Sequence, residues 1–94
     1  MKARSFKDVK KFQDIPNIGT SMTADFKLLG MKNPSDLKNQ DPLILYKKLC
    51  AKTKARQDPC VLDTFIAAVD FMNGAQPKPW WHYTSQRKNK FPQI

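Results

Sequence analysis

Phe12-Gln13-Asp14-Ile15-Pro16-Asn17-Ile18-Gly19-Thr20-Ser21-Met22-Thr23-Ala24-Asp25-Phe26-Lys27-Leu28-Leu29-Gly30-Met31 is the most informative stretch of this chain. Ile15-Pro16-Asn17-Ile18-Gly19 stops one helix. Thr20 or Ser21 starts the next, with Phe26, Leu28 and Leu29 apolar and Gly30 closing it as the C′ residue. The order is helix, tight hairpin ending in glycine, helix. Gly19 is free to take φ > 0 and lets a ligand come close to the backbone. The second helix opens at once, so its unpaired N–H groups and positive dipole end point out of the hairpin. That is an anion site. Ile15 and Ile18 are expected to face back and anchor the hairpin to both helices.

The same punctuation recurs outward from this stretch. Upstream, Ser5 caps an expected first helix with Phe6, Val9 and Phe12 on one stripe. Asp8 stands three residues after Ser5, near the capping-box position. Downstream, Asn33-Pro34, Asp41-Pro42 and Asp58-Pro59 each read as a helix start, with proline at the first helical position. The second of these precedes Leu43, Leu45, Tyr46, Leu49 and Cys50. The third precedes Val61, Leu62, Phe65, Ile66, Val69 and Met72, and Gly74 closes it. With no period-2 stretch and few β-branched residues, the expectation is an all-α domain of five helices over 5–76. Residues 77–94 form a Trp-rich basic tail, expected to pack at its start and to be mobile at its end.

Composition narrows the function classes. The chain has 94 residues, room for one domain. Seventeen Lys and Arg stand against 8 acids, a net charge of +9, and every acid is Asp. Residues 59–77 carry two Asp and no base, and they are also the most apolar window. That window reads as a buried helix with basic surface arranged around it. A polyanion is the obvious partner of such a surface. No apolar run approaches the ~20 residues of a membrane span, so no membrane partner is expected. Met1–Asp8 lacks an apolar core, so no signal peptide is expected. Two cysteines without a secretory signal suit a reducing cytoplasm.

Ile15-Pro16-Asn17-Ile18-Gly19 followed by Leu28-Leu29-Gly30 resembles a helix-hairpin-helix motif. Such motifs hold backbone phosphates through hairpin amides without reading sequence. Leu37, Leu45-Tyr46, Leu49 and the helix over 59–74 resemble the second half of a tandem helix-hairpin-helix-like domain, as in the C-terminal domain of TfoX-type competence regulators. The order Ile15-Pro16-Asn17-Ile18-Gly19, Gln57-Asp58-Pro59-Cys60-Val61-Leu62-Asp63, Pro79-Trp80-Trp81, Arg87-Lys88 is closer still to the small bacterial "pathogenicity locus" family, over about residues 5–88. The resemblance implies a compact tandem-hairpin fold. Two departures matter. Asn17 stands where the usual hairpin has its first glycine, and Asn tolerates the left-handed region. Thr20 and Ser21 stand where DNA-binding examples often carry Lys or Arg, so affinity from this hairpin should be modest.

The expected function is non-sequence-specific binding of nucleic acid, taken to be DNA. Asn17, Ile18, Gly19, Thr20 and Ser21 form the phosphate site, and Lys11, Lys27 and Lys32 supply charge. Lys48, Lys52, Arg56, Trp80, Trp81, Arg87 and Lys88 are secondary candidates. Each has a plainer reading. Lys48 and Lys52 are i, i+4 neighbours on what is ordinarily a solvated face. Trp80-Trp81-His82-Tyr83 can stack on bases, but such a cluster more often fills a groove in a small core. Cys50, Cys60 and His82 lack metal-site spacing and the cysteines read as buried thiols. Asp63 and Asp70 share a helix face with no base or metal to pair with. With no nucleophile–base arrangement and no phosphate-binding glycine loop, no enzyme, cofactor, metal or small-molecule substrate is expected. The rival expectation is a protein-interaction module of the same fold, without nucleic-acid contact.

Overall fold

The central element of the computed structural model, which describes residues 2–94, is the helix expected from the acidic, apolar window. Four α-helices are present: α1 (Thr20–Leu28), α2 (Pro42–Thr53), α3 (Pro59–Met72) and α4 (Thr84–Lys90). Short 3₁₀ turns cover Phe6–Asp8, Phe12–Asp14, Pro34–Leu37 and Trp80–Tyr83. No strand occurs among the described residues. The fold is all-α.

Each Asn/Asp-Pro start lies where expected. Asp41 accepts from the Leu43 and Ile44 amides, and Asp58 accepts from the Cys60 amide. Before the 3₁₀ turn at Pro34, the Asp36 carboxylate accepts from the amides of Lys32 and Asn33 at 2.8 and 2.9 Å. These amide donors hold the Asp36 and Asp58 carboxyls below the usual carboxylate range. Gly30 and Gly74 end α1 and α3 at φ +92° and +110°, where a β-carbon would be strained.

α3 is buried nearly all round, from Leu62 through Val69 and again at Phe71 and Met72. Such a helix must be enclosed by its neighbours. α2 covers one side with Leu45, Tyr46 and Leu49. The Tyr46 hydroxyl donates to the Gln57 carbonyl and ties α2 to the connection that follows it. Phe12, Phe26 and Phe65 form a chain of tilted rings, 5.5 and 5.3 Å between centroids. That chain joins the hairpin's two arms to α3.

The expected first helix is corrected. Residues 6–14 form two 3₁₀ turns with extended backbone at Val9 and Lys11. Ser5 caps only the first turn, accepting from Lys7. Asp14, one turn further on, accepts from the Lys10 and Lys11 amides at 3.0 and 3.1 Å and starts a new turn there. A continuous helix would also crowd Lys7, Lys10 and Lys11 at i, i+3 and i+4 spacing. Phe12 is buried, whereas Phe6 and Val9 are half-buried against the core edge.

The C-terminal residues are part of the packed body. Tyr83 is buried against α3, and Phe91 and Ile94 rest on the core. Asp63, in the N-terminal half of α3 and fully buried, meets Arg87 from α4.

Candidate nucleic-acid interface

The hairpin is built by its two isoleucines. Ile15 and Ile18 are both 0% exposed, so the loop between them is pinned to the core from both ends. The Ile18 amide donates back to the Ile15 carbonyl at 3.1 Å, which closes the turn. Asn17 takes the left-handed conformation at φ 73°. Gly19 does not: its backbone is extended, φ −108° and ψ −162°, a shape open to any residue. The expected reason for Gly19 is therefore corrected, and the left-handed step falls two residues earlier.

Gly19 is instead the last residue before α1. Its carbonyl accepts from the Thr23 amide and the Thr23 hydroxyl, at 3.0 and 2.8 Å. The amides of Gly19, Thr20 and Ser21 have no acceptor among the described residues. All three residues are exposed, and nothing lies within 4 Å of the position a Gly19 β-carbon would take. The Ile18 amide is spent inside the turn, so the open donors are those of residues 19–21. Asn17 is half-buried, with its side chain committed elsewhere.

Two chain segments flank this opening. On one side Lys2 donates from Nζ to the Gln13 carbonyl at 2.7 Å and to the Ile18 carbonyl. Partial burial lowers its pKa, and the Asp14 charge opposes that shift. On the other side the Asn17 amide donates to the Lys78 carbonyl at 2.8 Å, and the Trp80 N–H donates to the Asn17 Oδ1 at 3.3 Å. The Lys78–Trp80 strap thus buttresses the hairpin's flank without covering Gly19.

The cations are distributed unevenly. Lys27 lies seven residues along α1 from Thr20, on the same stripe and about 10 Å along the axis. Lys11 is exposed at the start of the turn that feeds the hairpin. Lys32 lies beyond Gly30, past the far end of α1. Lys48 and Lys52 are exposed on α2, and Arg56 is exposed in the loop after it. Lys88 is exposed on α4. Lys2 contacts the hairpin through its ammonium group and Lys78 through its main-chain carbonyl, and neither carries a sequence signal that marks it.

Arg87 requires a correction. It is 7% exposed, and its Nε and Nη2 meet Asp63 Oδ1 and Oδ2 at 2.8 and 3.4 Å. The Thr84 hydroxyl adds 2.8 Å to Oδ2. The expectation that Asp63 has no base to pair with is therefore corrected: Arg87 is its charged partner. The tryptophans also depart from the groove-filling expectation. Tyr83 fills the groove, Trp80 is half-buried, and Trp81 is 63% exposed. Burial beside the Asp70 carboxylate pushes the Tyr83 hydroxyl up to about 12. Cys50 and Cys60 are free and half-buried, and burial raises the Cys60 thiol. No cluster of three or more His, Cys or Asp side chains suited to a metal occurs among the described residues.

Fold and surface define a small all-helical protein that presents one open, lysine-flanked hairpin. Residues 5–89 match the family model described as pathogenicity locus (Cdd1), and the chain belongs to that bacterial family. It is 42% identical over 72 residues to the mitomycin resistance protein McrB of Streptomyces lavendulae, covering 77% of this chain and 69% of that protein. No solved structure matches the chain.

Proposed function

We propose that the unit from Phe12 to Leu28, a 3₁₀ turn, a hairpin and α1, acts as a helix-hairpin-helix-like module and binds nucleic acid, DNA in the first instance, through backbone phosphates. The observation that carries this reading is the open front of the hairpin. Three consecutive residues, Gly19 to Ser21, offer unpaired amides at the positive end of α1, with empty space before Gly19. The Lys2 ammonium touches the rim, and the chain has a charge of +9. The Thr20 and Ser21 hydroxyls add donors, and Lys27 adds charge along the same stripe. Residues 37–74 form the second, hairpin-like half of the tandem. Phosphate contacts position a protein without specifying sequence, so binding should be sequence-tolerant. The protein binds rather than catalyses.

The relative's name states resistance to mitomycin and no ligand, so support for the phosphate site comes from this chain's own residues. The second reading is a protein-interaction module. It is favoured by the absence of charge at positions 20 and 21 and by the exposed Leu28 and Ile44, at 49% and 50%.

Fluorescence anisotropy of a labelled duplex against salt separates the two. With two to four phosphates neutralised, log K should fall against log salt with a slope of roughly −2 to −4. Gly19→Val is a clean probe. The extended backbone accepts a β-branched residue and its space is empty, so the fold should survive while the isopropyl group blocks the amides. Loss of binding in the folded variant is the expected result. Binding that ignores the substitution would assign the affinity to diffuse charge, and no binding at low salt would favour the protein partner.

A further inference from the structure

We propose that the Trp81 indole is a stacking platform for one unpaired base, so that the site takes single-stranded DNA, or the frayed end of a duplex, in preference to closed duplex. This rests on phosphate binding at the hairpin and adds what form of strand that site selects.

Among the described residues Trp81 is the most exposed of the large apolar side chains, at 63%. Its neighbours Trp80 and Tyr83 are half-buried and buried, so the fold uses this segment's bulk and leaves one indole outside. The backbone beneath it is fixed on both sides. Pro77 and Pro79 restrict φ before it. The Trp80 amide is held by Asn17, and the His82 amide donates to the Pro79 carbonyl at 3.0 Å, closing the turn around Trp81. Trp80 meets Trp81 edge-on, with centroids 5.7 Å apart at 86°. An exposed ring on a constrained turn loses little freedom when a base stacks on it.

Its position relative to the hairpin is set by Asn17. The side chain of Asn17 binds the strap one residue before Trp81, and its backbone lies two residues before Gly19. At 3.8 Å per Cα step plus one side chain and one hydrogen bond, the Cα atoms of Trp81 and Gly19 stand less than about 20 Å apart. That is within a short single-strand site. The surroundings suit a polyanion. Lys78 precedes the platform, and Lys88 follows it seven residues on, along the same side of the turn and α4. Residues 71–94 contain no acidic side chain. In a closed duplex the base faces are covered by their neighbours, and the indole would find no partner. An aromatic face beside cations and backbone donors is the arrangement that holds unpaired bases without sequence preference.

The test uses the full chain with labelled oligothymidylate and a labelled blunt duplex at low salt. The variants are Trp81→Ala, Trp81→Phe and Gly19→Val, each first shown to be folded by circular dichroism. The proposal expects the single strand to bind more tightly than the duplex. Trp81→Ala should weaken single-strand binding by about 5- to 150-fold and leave duplex binding unchanged. Trp81→Phe should keep most of the single-strand affinity and show less tryptophan quenching on saturation than is expected of wild type. Equal affinity for both forms, or a Trp81→Ala variant that matches wild type on the single strand, overturns the platform. If duplex binding still collapses in Gly19→Val, the hairpin reading survives that failure. If neither DNA binds wild type at low salt, both fall together.

Discussion

Trp81 and Arg87 stand six residues apart in one C-terminal segment, and their fates are opposite to those their side chains suggest. The indole lies in solvent, whereas the guanidinium is buried beside α3. Partners explain the difference. Asp63 sits at 0% exposure on a helix buried nearly all round, and an unpaired carboxylate there would be costly. Arg87 satisfies it in a forked geometry, with Thr84 completing the oxygen shell. Once α4 is fixed by that pair, Tyr83 occupies the groove and Trp81 is turned outward. A charge can be more firmly internal than an aromatic ring when a buried charge requires it.

The largest effect should come from breaking that pair. Asp63→Ala or Arg87→Ala leaves a lone buried charge and should cost about 3–5 kcal/mol, a large part of a small domain's stability. Urea denaturation would read it. Replacing both residues together by apolar ones of similar volume should recover much of the loss. Single variants as stable as wild type would contradict the account of why α4 docks.

A smaller effect is expected on the hairpin side. Asn17→Ala removes two hydrogen bonds to the strap and puts in the left-handed region a residue that tolerates it less well than Asn. The expected loss is about 2 kcal/mol in thermal unfolding. Asn17→Gly keeps the backbone shape and loses only the bonds, so it should be the milder change. If the two variants are equal, the left-handed step contributes nothing.

The pH response separates the exposed turns from the buried segment. Asp14, Asp36 and Asp58 have carboxyls lowered by backbone amide donors. Lowered groups contribute stability above their unfolded pKa, near 4, and lose it as pH falls through the folded value. Tyr83 is raised to about 12, so its contribution is complete below about 10 and is lost as pH climbs towards 12. Unfolding temperature should therefore be level from about pH 5 to about pH 8, falling below about pH 4 with the turns and above about pH 9, first with the Cys60 thiol that burial raises and then with the tyrosine. A decline centred at neutral pH would contradict this assignment.

The smallest effect should be at α2. Lys48→Gln with Lys52→Gln should change stability by less than about 0.5 kcal/mol. It should leave the salt slope of DNA binding unaltered if the open amides of residues 19–21, and not α2, carry the phosphate contacts. A slope reduced by about one per lysine would move the interface to α2.

What the chain discloses unaided follows from how local the cause is. Asn33, Asp41 and Asp58 with their following prolines mark three starts to the residue, and Gly30 and Gly74 mark two ends, because caps act within one turn. The hairpin is equally legible, since Ile15, Asn17 and Ile18 do their work inside four residues. The first helix misleads because the Asp14 carboxylate captures the Lys10 and Lys11 amides and starts a new turn, which apolar spacing does not reveal. Arg87, Trp81, Lys2 and Lys78 are illegible for another reason. Each takes its role from a residue at least eleven positions away, Asp63 or the hairpin, and no local pattern encodes that meeting.

The most direct test of the hairpin as the binding site is a ¹H–¹⁵N titration of the full chain with a short DNA duplex at low salt. Saturable shifts that are largest at the Gly19, Thr20 and Ser21 amides, and that fade as salt is raised, are the predicted result. Shifts confined to α2 around Lys48 and Lys52, with residues 19–21 unmoved, would contradict it.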